Sequence, residues 1–185
     1  MIFQGTYIRC YGIIGAVQQP QNSYSEVINM ITQINTIVDA VFASWYVGAI
    51  YGYEQTQNST VKNITIINSN ISSLAYIGGI IGRSQQSNTT LDNIAIMKSN
   101  ISGQDSIGGF IGYIQESKVT IINSVIQYIR IQSSSPQNIL IGQTSPIGIG
   151  NNITILNTQQ GFSYINDQLL QQCINITNIL TQSGC

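Results

Sequence analysis

Seven carboxylates are the side chains of this sequence best suited to chemistry. Acid pairs held ~5 to 9.5 Å apart cleave glycosidic bonds, and a period of thirty residues would place each residue over its equivalent in the next repeat. After a shift of thirty, no acid falls on another acid, whereas Asp92 falls on Lys62 and predicts an exposed ion pair between repeats. The seven acids are Glu26, Asp39, Glu54, Asp92, Asp105, Glu116 and Asp167.

Other kinds of reactive site are excluded by composition. The chain contains no histidine, so it has no Ser-His-Asp triad, no Cys-His pair and no histidine-bound zinc. The acids do not cluster as calcium ligands must, and six basic residues with a net charge of −1 give no footprint for nucleic acid. We therefore expect no enzyme, no catalytic or metal residue and no cofactor.

A column of glycines reveals the repeat that must position every side chain. Gly52, Gly82, Gly112 and Gly142 lie thirty residues apart, each closing a short apolar phrase, and Gly15 closes an earlier copy. A fixed period of this size is typical of a solenoid, in which each repeat buries its apolar face only against its neighbours.

An asparagine column marks the second half of each repeat. An apolar residue, any residue and then asparagine recur in register. The chain must turn near this asparagine, because Val61 before it and Ile64 after it both favour the interior, and we expect Asn63 to face inward too. Stacked amides can also hydrogen-bond from repeat to repeat. We predict a structural ladder formed by Asn29, Asn63, Asn93, Asn123 and Asn157.

Strands explain the composition better than helices do. The repeats are rich in Ile, Val, Thr and Tyr and are punctuated by glycine. We predict an all-β, single-domain, parallel right-handed β-helix (β-solenoid) over residues 1–185, with three strands per repeat and about five to six rungs of roughly thirty residues. The repeats are expected near 11–46, 47–76, 77–106, 107–136 and 137–160, with an irregular rung or cap over 161–185.

Two segments leave a helix open as an alternative. Residues 25–42 carry apolar side chains at helical spacing, and Ser23 with Glu26 resembles a capping box, although we favour a strand from Val27 to Ile31. The tail places Leu169, Leu170, Cys173 and Ile174 in a pattern that a terminal helix would also produce.

The repeats resemble the GLUG motif. The resemblance covers roughly residues 11–160 and rests on the phrase Ile77-Gly78-Gly79-Ile80-Ile81-Gly82, followed by a polar turn, Thr90-Leu91-Asp92-Asn93 and Ser102-Gly103. GLUG repeats occur in adhesins related to filamentous haemagglutinin and in surface IgA-cleaving metallopeptidases, where they are understood as β-solenoid segments. The resemblance implies a repeat region without the zinc domain, since histidine is absent.

A threonine column suggests a different use of the same fold. Thr60, Thr90, Thr120 and Thr154 align, and flat threonine faces of β-solenoids can organise water at an ice surface. The column two residues further on contains Lys, Asp, Ile and Leu instead of a second threonine row. Ice binding is therefore a third hypothesis.

Composition favours a display or scaffold role. Charged residues make up only 7% of the chain, and seven asparagines begin Asn-x-Ser/Thr sequons. We expect a non-enzymatic structural, adhesive or scaffold module of a surface or secreted repeat protein, located outside the cell. A carbohydrate-binding or carbohydrate-cleaving β-helix is the alternative. The expected partners are other segments of a longer repeat protein, a surface protein or a glycan, with no nucleic acid and no membrane span.

Overall fold

The fold is a parallel β-solenoid, seen here in a computed structural model that describes residues 10–11, 16–18, 24–32, 38–39, 45–134, 138–145, 151–166, 168–170 and 174–176. Every regular element in these residues is a strand. Strands of successive repeats pair in parallel with a register of thirty residues in the central repeats, as in Ile81 with Ile111. The predicted all-β solenoid is confirmed.

Four sheets, rather than the three strands per repeat that we predicted, wrap around the axis. Sheet 1 contains Cys10–Tyr11, Tyr46–Gly48, Ala75–Gly78 and Asp105–Gly108. Sheet 2 contains Ala16–Gln18, Tyr51–Gln55, Ile81–Gln85, Ile111–Gln115 and Ile141–Thr144.

The other two sheets complete the circuit. Sheet 3 contains Tyr24–Thr32, Asn58–Ile67, Asn88–Met97, Lys118–Ile122, Val125–Gln127, Asn152–Leu156, Thr158–Gln160 and Ile174–Ile176. Sheet 4 contains Val38–Asp39, Asn70–Ser72, Asn100–Gly103, Arg130–Ser133, Ser163–Ile165 and Gln168–Leu170. The five parallel strands of sheet 2 correspond to about four turns, fewer than the predicted five to six rungs.

Both segments that could have been helical contribute strands. Tyr24–Thr32 pairs in parallel with Asn58–Ile67, which confirms the strand predicted from Val27 to Ile31. In the tail, Gln168–Leu170 pairs antiparallel with Ser163–Ile165, and Ile174–Ile176 pairs antiparallel with Thr158–Gln160. The chain thus reverses direction after the last parallel rung, and these strands replace the helix considered for the tail.

The core is a stack of aliphatic columns inside the four sheets. Alternate residues of each strand point inward, so equivalent residues lie over one another, as Val61, Leu91 and Ile121 do in sheet 3. Phe110 and Tyr51 are the largest fully buried side chains. The interior also holds a few buried polar side chains, such as Glu54 and Thr89, and the outward residues of each strand are the positions available for function.

Candidate ligand-binding surface

A group of aromatic and amide side chains lies on the outer face where sheets 1 and 2 meet. Its residues come from equivalent outward positions of consecutive rungs, so the strand register itself brings them together: Arg83 pairs with Tyr53 on one side and with Tyr113 on the other. We call this the tyrosine–arginine surface, and it comprises Trp45, Tyr46, Tyr53, Tyr76, Arg83, Gln85, Tyr113 and Gln115.

The aromatic rings of this surface contact one another in a continuous chain. The ring centre of Tyr46 lies 5.3 Å from that of Tyr76 and 5.4 Å from that of Tyr53. Tyr76 in turn lies 5.1 Å from Tyr113, edge to face, and 6.2 Å from Trp45. Such pairs stabilise one another beyond the area they bury. Trp45 is the last ring in this row and is 50% exposed.

Arg83 occupies the centre of the rings. Its guanidinium carbon lies 5.2 Å from the ring centre of Tyr46, 5.6 Å from that of Tyr113, and 5.8 Å from those of Tyr53 and Tyr76. These are cation–π distances. Nη1 donates a hydrogen bond of 2.7 Å to the Tyr46 hydroxyl, and Nη2 donates one to Gln115 Oε1. The position of the cation is therefore fixed by four rings and two hydrogen bonds.

Tyr76 is held in an uncommon backbone conformation beside this cation. Its φ is 53°, a left-handed value that costs a side chain with a Cβ atom free energy, and Ser106 repeats it at 54° one rung later. Desolvation raises the pKa of the Tyr76 hydroxyl, and Tyr46, Tyr113 and Asp105 raise it further, while the charge of Arg83 lowers it. Tyr76 is thus a neutral phenol at physiological pH.

Amide side chains border the rings along sheet 2. The Tyr53 hydroxyl lies 2.9 Å from Gln85 Oε1 and 3.1 Å from Gln55 Oε1, and its single proton is shared between these two acceptors. Gln55 Nε2 donates to Gln86 Oε1 at 3.0 Å, and Gln86 Nε2 donates to Glu116 Oε2 at 2.9 Å. This border offers both hydrogen-bond donors and acceptors, so the surface combines ring faces, one cation and a row of amides.

The asparagine column forms the corner inside sheet 3. Asn63, Asn93, Asn123 and Asn157 all have a left-handed φ, between 50° and 56°, a conformation that asparagine tolerates better than most residues. Asn63 is partly exposed and Asn93 is exposed, so our expectation that Asn63 faces inward was wrong. The left-handed residue lets the inward side chains on both sides of the corner reach the same core.

The amides of this column are bonded in pairs. Asn93 Nδ2 donates to Asn63 Oδ1 and Asn157 Nδ2 donates to Asn123 Oδ1, both at 2.9 Å. Between the pairs, Asn123 Nδ2 donates to Asp92 Oδ1 at 3.1 Å. Asp92 also forms the ion pair expected from its alignment with Lys62, with Nζ and Oδ2 3.1 Å apart. The side chain of Asn29 lies outside the described residues.

The glycine column lies at the inner corner between sheets 1 and 2. A Cβ atom on Gly82 would lie 2.5 Å from the carbonyl oxygen of Gly52, and one on Gly112 would lie 2.6 Å from that of Gly82. Gly142 has the same relation to Gly112, at 2.6 Å. None of these glycines has a left-handed φ, so close approach of backbones is the reason for glycine here. Gly15 lies outside the described residues.

Among the carboxylates that the structure describes, Glu54 has the most unusual environment. Its side chain is fully buried inside the solenoid and accepts hydrogen bonds from the Thr89 hydroxyl at 2.8 Å and the Thr56 hydroxyl at 3.3 Å. Burial raises the pKa of Glu54, and the surrounding hydroxyls oppose this only in part. Desolvation favours the neutral acid. Glu54 therefore has no path to a substrate in this arrangement.

The remaining acids and the threonines lie apart from the tyrosine–arginine surface, except for two. Asp105 is exposed and raises the pKa of Tyr76, while Glu116 accepts the last amide bond of the glutamine border. Thr60, Thr90, Thr120 and Thr154 pair in register on the outer face of sheet 3, all partly exposed. Asp167 and the side chains of Glu26 and Asp39 lie outside the described residues.

Our sequence reasoning missed the tyrosine–arginine surface. The signal was present in the same period: Tyr46 and Tyr76 lie thirty residues apart, as do Tyr53, Arg83 and Tyr113. Columns of identical residues mark structural ladders. This surface instead mixes residue types within a column, and it can be found only when two neighbouring columns are considered together.

Comparisons with known protein families, with curated proteins and with solved structures found no match to this chain. In the described part of the chain, no three His, Cys, Asp or Glu side chains are grouped as metal ligands would be. That part also contains no helix with the length and hydrophobicity needed to cross a membrane. The tyrosine–arginine surface is therefore the arrangement on which a functional argument can be built.

Proposed function

We propose that this chain is a non-enzymatic adhesive or scaffold module of a surface or secreted repeat protein. The observation that carries the proposal is the tyrosine–arginine surface, in which four tyrosines and Trp45 are gathered on one outer corner of a regular rod. Tyrosine and tryptophan are enriched where proteins bind partners, because each joins a large ring to a polar group.

The character of the outer faces supports the same proposal. Neighbouring rungs are joined there by amide pairs, such as Asn88 Nδ2 to Asn58 Oδ1 at 2.9 Å and Asn100 Nδ2 to Asn70 Oδ1 at 2.8 Å. Such ladders make a uniform, weakly charged surface, suited to display along a rod. The resemblance to GLUG repeats agrees with this role, and the exposed sequon asparagines Asn58, Asn70, Asn100 and Asn152 favour a secreted location.

In the test, a non-adherent bacterium displays the chain, and the bacteria that stay attached under flow to a layer of cells of the source organism are counted. We expect retention above that of cells displaying the variant Tyr46→Ser/Tyr113→Gln, in which each tyrosine is replaced by the polar residue that ends its own column, Ser106 or Gln143. Equal retention would overturn the adhesive role. An antibody that stains source cells only after permeabilisation would overturn the surface location, and release of reducing sugar ends from polysaccharides would overturn the non-enzymatic role.

Carbohydrate binding is the second candidate function. It is favoured by the glutamine border beside the rings, where Tyr53, Gln55 and Gln85 already exchange hydrogen bonds. Sugar hydroxyls require neighbouring donors and acceptors of this kind. A glycan ligand is compatible with an adhesive module, so the two candidates differ only in the chemistry of the partner.

A further inference from the structure

We propose that the tyrosine–arginine surface binds an acidic saccharide, with the carboxylate of a uronic acid against Arg83 and a sugar ring against Trp45. This inference rests on the carbohydrate-binding candidate above and names its ligand class. It assigns the anion to the guanidinium, the sugar ring to the indole and the sugar hydroxyls to the glutamine border.

Arg83 has no counter-ion in the part of the chain that the structure describes. Among the described residues, the only ion pair is that of Lys62 with Asp92, so no carboxylate lies within 4.0 Å of the Arg83 guanidinium. The buried Nε of Arg83 also has no hydrogen-bond partner. Neutral rings and a neutral amide surround the charge without cancelling it. In a partly buried site, such a charge attracts an anion more strongly than it would in open water.

The geometry of the Arg83 guanidinium suits a carboxylate. A guanidinium carries five N–H groups in one plane and binds carboxylates through two of them. Each terminal nitrogen of Arg83 has a second N–H beyond the bond to Tyr46 or Gln115. The four rings hold the side chain in place before a ligand arrives, so little conformational entropy is lost when an anion binds.

The groups around Arg83 favour a saccharide over other anions. Half of the Trp45 side chain is exposed next to Tyr76, and an indole face packs well against the C–H face of a sugar ring. The neighbouring amides and phenols can bond hydroxyls in either direction. A nucleic acid would need several cations to neutralise its phosphates, whereas this surface supplies only Arg83.

The described rungs form the tyrosine–arginine surface only once. In the column of Tyr46 and Tyr76, the next residue is Ser106, and in the column of Tyr53, Arg83 and Tyr113 the next is Gln143. Ser106 Oγ donates a hydrogen bond of 2.6 Å to Gln143 Oε1, so polar side chains replace the aromatic rings at this end of the surface. We therefore expect one saccharide segment per chain rather than a ladder of equal sites.

The chain carries its own reporter for the test. Trp45 is the only tryptophan in the sequence, so intrinsic tryptophan fluorescence reads this surface alone. We would titrate the protein with oligogalacturonate, with a neutral glucose oligomer of equal length and with an oligoglutamate peptide. We expect a saturable change with one oligogalacturonate per chain, and binding at least tenfold weaker for the other two. Equal or tighter binding of the glucose oligomer would overturn the assignment of an anion to Arg83. Equal or tighter binding of the oligoglutamate would overturn the assignment of a saccharide.

Variants separate this site from general attraction to the rod. Arg83→Gln is expected to weaken oligogalacturonate binding at least tenfold. Arg130→Gln removes another arginine that lies over a tyrosine ring, Tyr164 at 5.9 Å, and is expected to leave binding unchanged. Equal losses in both variants, or no loss in Arg83→Gln, would overturn the proposal.

A second variant guards against misfolding of Arg83→Gln. Trp45→Ala changes a half-exposed side chain, and calorimetry should show oligogalacturonate binding weakened about tenfold with the fold intact by circular dichroism. Unchanged binding would remove the indole from the site and overturn the proposed pose. If no acidic saccharide binds while displayed cells still adhere, the saccharide proposal fails and the adhesive role stands.

Discussion

Thr89 donates a hydrogen bond of 2.8 Å to the carboxyl of Glu54, from one rung to the previous one and entirely inside the solenoid. Desolvation raises the pKa of Glu54, and the surrounding hydroxyls, of which Thr89 and Thr56 donate hydrogen bonds to the carboxyl, lower it less than burial raises it. An apolar interior penalises the ionised carboxylate more than the neutral acid. The buried acid is thus a local weakness of the core whose cost depends on pH.

The first prediction is that Glu54→Gln stabilises the protein at neutral pH. Because the folded state binds the Glu54 proton more tightly than the unfolded state does, stability is greatest below the unfolded pKa and falls as pH rises toward the folded pKa. Glutamine keeps the shape without the ionisation: its oxygen can accept from one of the two threonine hydroxyls, and its Nε2 can donate to the other. Urea unfolding between pH 4 and pH 8 should therefore show a gain that grows with pH.

Glu116→Gln is the matched control for this prediction. Glu116 is partly exposed and accepts one amide hydrogen bond from Gln86, so its substitution is expected to change the free energy of unfolding by less than about 0.5 kcal/mol. A gain for Glu54→Gln that is independent of pH, or that Glu116→Gln matches, would contradict the role of buried ionisation.

The second prediction concerns the corner at Asn93, where φ is 56° and Nδ2 donates to Asn63 Oδ1. Asn93→Ala loses the amide bond and places a Cβ residue without local compensation in the left-handed region, which we expect to cost about 2 kcal/mol. Asn93→Gly loses the same bond but adopts this φ freely, so we expect a cost of about 1 kcal/mol. Chemical denaturation measures both, and a costlier glycine would refute the backbone explanation.

The sequence predicted the solenoid because its ladders repeat residue types. Gly82, Gly112 and Gly142 recur because a backbone occupies the space of a Cβ atom, and Asn63 and Asn93 recur because one amide bonds the next. Physical constraints of this kind act equally on every rung. They therefore appear as identical residues at a fixed period.

Features that vary from rung to rung could not be predicted in the same way. The corner between sheets 3 and 4 has a left-handed φ at Asn68, Lys98 and Tyr128, and three unrelated residue types leave no column to recognise. We predicted three strands per rung, and this corner has no repeated residue by which a fourth strand could be recognised. The tyrosine–arginine surface was hidden for a related reason, since Arg83 interrupts a tyrosine column.

The third prediction follows from that unrecognised corner. Lys98 is exposed and holds a left-handed φ of 50°, a conformation unfavourable for lysine and better tolerated by asparagine. Lys98→Asn is expected to raise the free energy of unfolding by about 1 kcal/mol, as measured by thermal and urea unfolding. Lys98→Ala removes the same charge but keeps the unfavourable backbone, so it should stay within about 0.5 kcal/mol of the wild type. A gain in the alanine variant would assign the effect to charge instead.

The fourth prediction tests the close approach at the glycine corner. A Cβ atom on Gly82 would lie 2.5 Å from the carbonyl oxygen of Gly52 and 2.5 Å from the amide nitrogen of Val47. Both neighbours are backbone atoms inside paired sheets, which cannot move without separating the strands, so Gly82→Ala is expected to cost about 3 kcal/mol or more.

Gly161→Ala is the matched control for this prediction. A Cβ atom there would lie 2.7 Å from Cγ of Gln127, a flexible side chain that can rotate away, so we expect a cost of about 1 kcal/mol or less. Urea unfolding of both variants measures the difference. Similar costs would mean that glycine is needed for chain flexibility in general. A large difference in the expected direction would mean that the glycine column sets how closely sheets 1 and 2 meet, and hence where Tyr46 and Arg83 are held.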